Sequence, residues 1–151
     1  MRKKFNSLFA LLILLSGCTN SFVFSEFYPI DERGWNNNQV LHFNPCPNDS
    51  IGTYNVSLVI RHSNSYRYQD IWLAVAFKED IDINIDTIHL RLADEKGHWI
   101  GNGNNFIHTF TYGYKEEIRF SKGSCGISVK QIMKDNPLRG INNIGIVVEK
   151  K

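Results

Sequence analysis

The chain predicts an all-β fold, a two-sheet antiparallel β-sandwich of jelly-roll or immunoglobulin-like topology with one short helix near its carboxyl end. Three observations carry that expectation. Tyr54, Val56, Leu58 and Ile60 alternate with Asn55, Ser57, Val59 and Arg61, the period of two that marks a strand with one buried face. Strand-like runs recur at intervals of about ten residues, the spacing of sandwich proteins. The breaks between them are rich in Gly and Asn, as in Gly101-Asn102-Gly103-Asn104-Asn105, residues that tolerate turn conformations.

In chain order, Val40 to Phe43 reads as a short first strand stopped by Pro45 and Pro47. The alternating run from Tyr54 follows. Asp70 to Phe77 is apolar on both faces and reads as a central strand, which places Trp72 in the core. Thr87 to Leu92 alternates again, with Ile88, Leu90 and Leu92 inward and His89 and Arg91 outward. Asp94-Glu95-Lys96-Gly97 then reads as a turn, where Gly97 supplies a positive φ and Asp94 bonds the following backbone. Phe106 to Tyr112 and Glu117 to Phe120 are expected as two strands separated by a turn at Gly113. Ile127 to Val129 continues the sheet, Val129 to Lys134 reads as one or two helical turns halted by Asn136-Pro137, and Asn143 to Glu149 closes the domain. Leu58, Ile60, Leu73, Val75, Leu90, Phe120, Ile144 and Ile146 are expected in the core, with Asn55, Arg61, Arg91 and Glu149 facing water.

The amino-terminal segment has a different purpose. Arg2, Lys3 and Lys4 precede the apolar run Leu8 to Leu15, which is too short to span about 30 Å of hydrocarbon as a helix. Leu15-Ser16-Gly17-Cys18 closes it with two small residues and a thiol, the ending of a bacterial lipoprotein signal peptide. Mature Cys18 would carry acyl chains on sulfur and nitrogen, and several chains at about 0.8 kcal/mol per buried CH₂ form a stable anchor where one does not. Residues 1–17 are thus expected as signal peptide, 18–38 as lipid-anchored tether and start of the domain, and 39–151 as the sandwich. Thr19, Asn20 and Ser21 are neutral, so neither an inner-membrane retention aspartate nor an acidic export run follows Cys18. An envelope location, the outer membrane facing the periplasm, is the expectation.

Cleavage removes three cationic residues and takes the formal charge from +2 to about −1, which leaves no basic surface to argue for nucleic acid. The periplasm permits disulfides, so Cys46 and Cys125 are a candidate bridge. It would close a loop of about 80 residues, worth about 4.5 kcal/mol in the chain-entropy model, the alternative being two separate buried thiols.

Catalytic and metal signatures are weak. Asp80, Asp82, Asn84 and Asp86 alternate with Ile81, Ile83 and Ile85, but Ile85 sits where a calcium loop requires Gly and Arg91 where it requires Glu. A charged, solvated edge strand is the preferred reading, with Asp80, Asp82 and Asp86 as a calcium candidate of another kind. The five histidines show no metal-ligand spacing; His98 and His108 could meet across a hairpin, but lone surface histidines are the expectation. Gly123-Ser124-Cys125-Gly126 lacks the pattern of a nucleophile elbow. No catalytic residue, cofactor or enzymatic activity is expected.

Beside Cys18 stand four further motifs: Gly34-Trp35, the run Tyr66 to Leu73, the segment Leu92 to Gly103, and the ending Gln131 to Ile146. Together they resemble the GldH family of gliding-motility lipoproteins of Bacteroidetes, in the expected order over nearly all of the mature chain. The resemblance implies a lipoprotein of the gliding machinery, associated with the type IX secretion apparatus, with other envelope proteins as partners. That family has no catalytic residues to carry over, and Cys46 and Cys125 are not part of its pattern. Tyr66, Tyr68 and Trp99 flank turns and are the candidate contacts, for a protein partner or, if the domain is a glycan-binding module, for sugar faces.

Overall fold

The computed structural model describes residues 22–47, 52–79, 82–120 and 125–151. Cys18 and Asp80 lie outside these. Nine strands run in chain order: β1 (Phe22–Pro29), β2 (Leu41–Phe43), β3 (Tyr54–Ser63), β4 (Asp70–Glu79), β5 (Asp82–Arg91), β6 (Asn102–Gly103), β7 (Ile107–Ile118), β8 (Cys125–Gln131) and β9 (Ile141–Lys150). They form a five-stranded sheet, β1-β9-β3-β7-β6, and a four-stranded sheet, β2-β8-β4-β5. All pairings are antiparallel.

The inward faces follow from the period of two. Val56, Leu58 and Ile60 of β3 pair with Val148, Ile146 and Ile144 of β9, and all six are buried. Facing them, Leu73, Val75 and Phe77 of β4 pair with Gln131, Val129 and Ile127 of β8, again all buried. Ile88, Leu90 and Leu92 lie inward as expected, and Phe120 packs between Tyr54 and Phe77, tying the sheets together. All eight residues expected in the core are there, so the strand registers were read correctly. Of the residues expected in water, Arg91 is exposed, whereas Asn55, Arg61 and Glu149 are half-buried. Arg61 lies over the Phe27 ring, 4.3 Å from its centre.

Four expectations change. β1 has no counterpart among the strands read from the sequence, yet it pairs with β9 along its length. Gly113 is not a turn: β7 runs through it, and the pairing shifts between Val56 and Ser57 and between Tyr54 and Val56 mark bulges that absorb extra residues. Val129–Lys134 is not helical, and the described residues contain no helix. The ladder wins there because Ile127, Val129 and Gln131 keep facing the core, and Ile132 N–H then donates to Trp72 O at 3.0 Å. Trp72 is not core but 41% exposed. Its strand is central, but only one side of that sheet faces the other sheet, and the even-numbered residues point away from it.

The strands give the sandwich two ends. The pairs Phe22–Glu149, Tyr54–Lys150 and Tyr54–Ile118 gather the starts of β1 and β3 and the ends of β7 and β9, the pair Glu79–Asp82 gathers the end of β4 and the start of β5, and Phe120 between Tyr54 and Phe77 brings the two sets to one end. There Cys46 and Cys125 are joined as a disulfide, with Cα atoms 5.5 Å apart. The opposite end collects the connections 30–40, 64–69, 92–101 and 132–140.

Candidate interaction surface

The outer face of the four-stranded sheet is the site where burial and composition disagree. Its cross-strand rows can be read from register: His42–Ser128–Ala76–Ile85, then Gly126–Lys78–Ile83, and on the other side Lys130–Ala74–Thr87 and the pair Trp72–His89. Ala74, Ala76, Gly126 and Ser128 keep the middle of the central strands β4 and β8 low, between His42 on one edge and Ile83 and Ile85 on the other, with Lys78 and Lys130 along it. The result is a shallow trough of about 260 Å³ bounded by His42, Lys78 and Ile83 and floored by Ala76, Gly126 and Ser128. Ile83 is 62% and Ile85 70% exposed. Trp72 and Ile132, also largely exposed, extend the apolar surface beyond the trough.

The edge of this surface is β5, which among the described residues pairs only with β4. It is the edge strand expected from Asp80–Asp86, but the faces are distributed in an unexpected way. Asp82, Asn84 and Asp86 share the side of Ile88 and Leu90, where the strand overhangs the core, and the isoleucines point outward. Asp86 is engaged: Tyr114 O–H donates to it at 2.7 Å and Lys115 Nζ lies 3.3 Å away. The Tyr114 hydrogen bond, with Lys115 adding to it, holds the Asp86 carboxyl below its usual range, while burial above all pushes the Tyr114 hydroxyl up. This contact closes one open side of the sandwich between β5 and β7. Among the described residues, no three His, Cys, Asp or Glu side chains converge as a metal-holding group.

The three aromatic candidates meet at the end opposite the disulfide. Tyr66 lies with its ring centre 5.8 Å from that of Tyr68 and 6.4 Å from that of Trp99. Tyr66 is only 3% exposed and donates its hydroxyl to Asp70 O; burial, first of all, raises its pKa. It is a core residue. Trp99 is half-buried, its Nε1–H donating to Asn64 Oδ1 at 3.0 Å, where His108 Nε2 also bonds at 2.9 Å. His62 sits beneath them, fully buried, with its ring 4.5 Å from Trp99. His98 pairs with Asp94, so it and His108 do not meet across a hairpin and have separate partners. Tyr68 borders a cleft of about 280 Å³ with Arg67, Asp135, Asn136 and Arg139.

The sequence motifs pack on one another at this same end. Trp35 is fully buried and exchanges two backbone hydrogen bonds with Leu138, at 2.8 and 2.9 Å. Gln131 donates to Trp35 O, and Asn136 Oδ1 accepts from Asn37 N–H. Gly34-Trp35 and the segment from Gln131 to Gly140, which contains the cis Asn136–Pro137 bond, are therefore one structural unit. Sequence reasoning missed the trough because Ala74, Ala76 and Ile85 carry no mark of exposure; only the covering sheet distinguishes the two faces of β4.

The family model described as GldH lipoprotein matches residues 22–148. A protein of Christiangramia forsetii named gliding motility lipoprotein GldH homolog is 28% identical over 148 residues, covering 92% of this chain and 90% of its own. A Flavobacterium johnsoniae protein named gliding motility lipoprotein GldH is 29% identical over 147 residues, covering 92% and 91%. No solved structure matches.

Proposed function

The chain belongs to the GldH lipoprotein family, and from that premise we propose that it is a non-enzymatic envelope lipoprotein of the gliding machinery, acylated at Cys18, whose sandwich docks other envelope proteins. The relatives' names support the gliding role. Association with the type IX secretion apparatus follows from the family resemblance, and the outer membrane facing the periplasm from the neutral residues after Cys18.

The observation that carries the docking role is the trough beside β5. Isoleucines 62% and 70% exposed on an uncovered sheet face mark an interaction site on a chain that must stay soluble above its anchor. The open strand edge beside them offers unpaired backbone groups to a partner. Ile83→Lys and Ile85→Lys test this. Each changes an exposed side chain, so melting should move by less than about 0.5 kcal/mol. Capture of envelope proteins by the tagged lipoprotein should fall sharply. Undiminished capture in both variants would overturn the reading, and glycan-array binding lost on Trp72→Ala would replace it with a sugar-binding one.

A further inference from the structure

Only three residues, Thr19, Asn20 and Ser21, separate Cys18 from the first residue of β1, Phe22. Four Cα steps reach at most about 14 Å, whereas a ten-residue strand such as β3 runs about 33 Å. The acyl chains end at the bilayer interface, so the start of β1 is held within or just above the headgroup layer. Phe22 is 55% and Val23 42% exposed there, and among the described residues no further strand pairs beyond this edge strand. Resting on the acylation of Cys18 in the proposed function, we infer that this end of the sandwich seats on the lipid surface through Phe22 and Val23. The strands then stand away from the membrane: the trough beside Ile83 and Lys78 lies on the outer sheet face toward the membrane end, and the opposite end, with Tyr68 and Trp99, is raised from the bilayer.

Among the described residues at this end, Lys151 is ion-paired to Glu117 and Lys115 to Asp86. Contact by apolar side chains and a short tether calls for no anionic lipid. The side of the molecule that competes is the trough: laid flat, the domain would bring Ile83, Ile85 and Trp72 onto the bilayer instead.

The native tryptophans make the two orientations separable. Trp35 and Trp99 sit at the far end, and Trp72 on the outer sheet face near it. The full acylated protein, and its Phe22→Trp variant, are reconstituted in vesicles of brominated phosphatidylcholine, whose bromines quench nearby indoles. The expected result is that the emission added by Phe22→Trp is largely lost while native emission is retained, and that a Gly-Ser insertion of ten residues after Ser21 restores the added emission. Unquenched Phe22→Trp emission in vesicle-bound protein overturns the seating. Quenching of the native protein that disappears in Trp72→Phe overturns it in favour of the flat orientation. The anchor is judged apart from both by Cys18→Ala, which should leave the protein off the vesicles; if that variant floats with them, the acylation reading itself fails.

Discussion

His62 is an imidazole buried among rings. Trp99, Tyr66 and His108 surround it at ring-centre distances of 4.5, 5.7 and 5.5 Å, Nδ1 faces Ser63 O at 3.3 Å, and Nε2 has no hydrogen-bond partner among the described residues. Burial lowers its pKa below the ordinary 6.5, reinforced by the nearby His108, while the Ser63 carbonyl pulls it partly back. The sign follows from which state takes the proton. Above about pH 6.5 neither state binds it and nothing is lost; below that, the unfolded chain protonates while the folded one resists, and stability falls. Denaturation at pH 7.5 and 5 should show a loss of up to about 1.4 kcal/mol per pH unit from this group, and His62→Gln should shrink the dependence. An unchanged slope would mean that His62 protonates freely in the folded state.

Two glycines with positive φ show how neighbours decide the cost of a side chain. At Gly97 (φ 83°) an added Cβ meets nothing within 4 Å, so Gly97→Ala should cost only the left-handed conformation, about 1 kcal/mol. At Gly140 (φ 89°) the same atom would lie 2.5 Å from the Tyr66 backbone, which cannot move aside. Gly140→Ala should cost about 3 kcal/mol or more by urea denaturation, through strain and overpacking together. Equal losses would show that the 64–69 turn yields.

At the scale of elements, β4 holds the sharpest internal comparison. Leu73 faces the other sheet and is fully buried, while its neighbour Trp72 stacks at 4.2 Å on His89 on the outer face. Leu73→Ala should cost about 2–5 kcal/mol as lost transfer energy plus a cavity. Trp72→Ala, though it removes the larger side chain, should cost about 0.5–1.5 kcal/mol of stacking. A larger loss at Trp72 would restore the core assignment that its sequence context suggests. β3 and β9 are legible because one face is apolar and the other largely polar, and β5 only in its second half, where Ile88 and Leu90 alternate with Thr87, His89 and Arg91. β4 was legible as a strand but not in its outer face, since Trp72, Ala74 and Ala76 look like core when the covering layer is unknown. β1 escaped notice because Phe22, Val23, Phe24, Phe27 and Tyr28 interrupt any simple period. The end of β8 was misread because long-range pairing with β4 overrode a locally helical pattern.

For the molecule as a whole, the aromatic motif residues proved to be one end of the sandwich, and the expectation that all three of Tyr66, Tyr68 and Trp99 are available for contact fails at Tyr66, which no one-dimensional pattern distinguishes from Tyr68. The other end is organised differently, around the Cys46–Cys125 disulfide. β2 makes only three pairs with β8, Leu41–Val129, His42–Ser128 and Phe43–Ile127, and is the weakest strand in its sheet. The bridge fastens the chain just past β2 to the first residue of β8, whose Cα lies 5.5 Å away. It closes a loop spanning 79 positions, worth about 4.5 kcal/mol in the chain-entropy model. The Cys46→Ser, Cys125→Ser double variant should lose most of that in equilibrium unfolding, and hydrogen exchange should rise first at the amides of β2, before those of β3 or β9. Uniform exchange with an unchanged unfolding free energy would show that β2 holds by its own pairing and by the burial of Leu41 and Phe43, and that the bridge adds nothing the packing does not already supply.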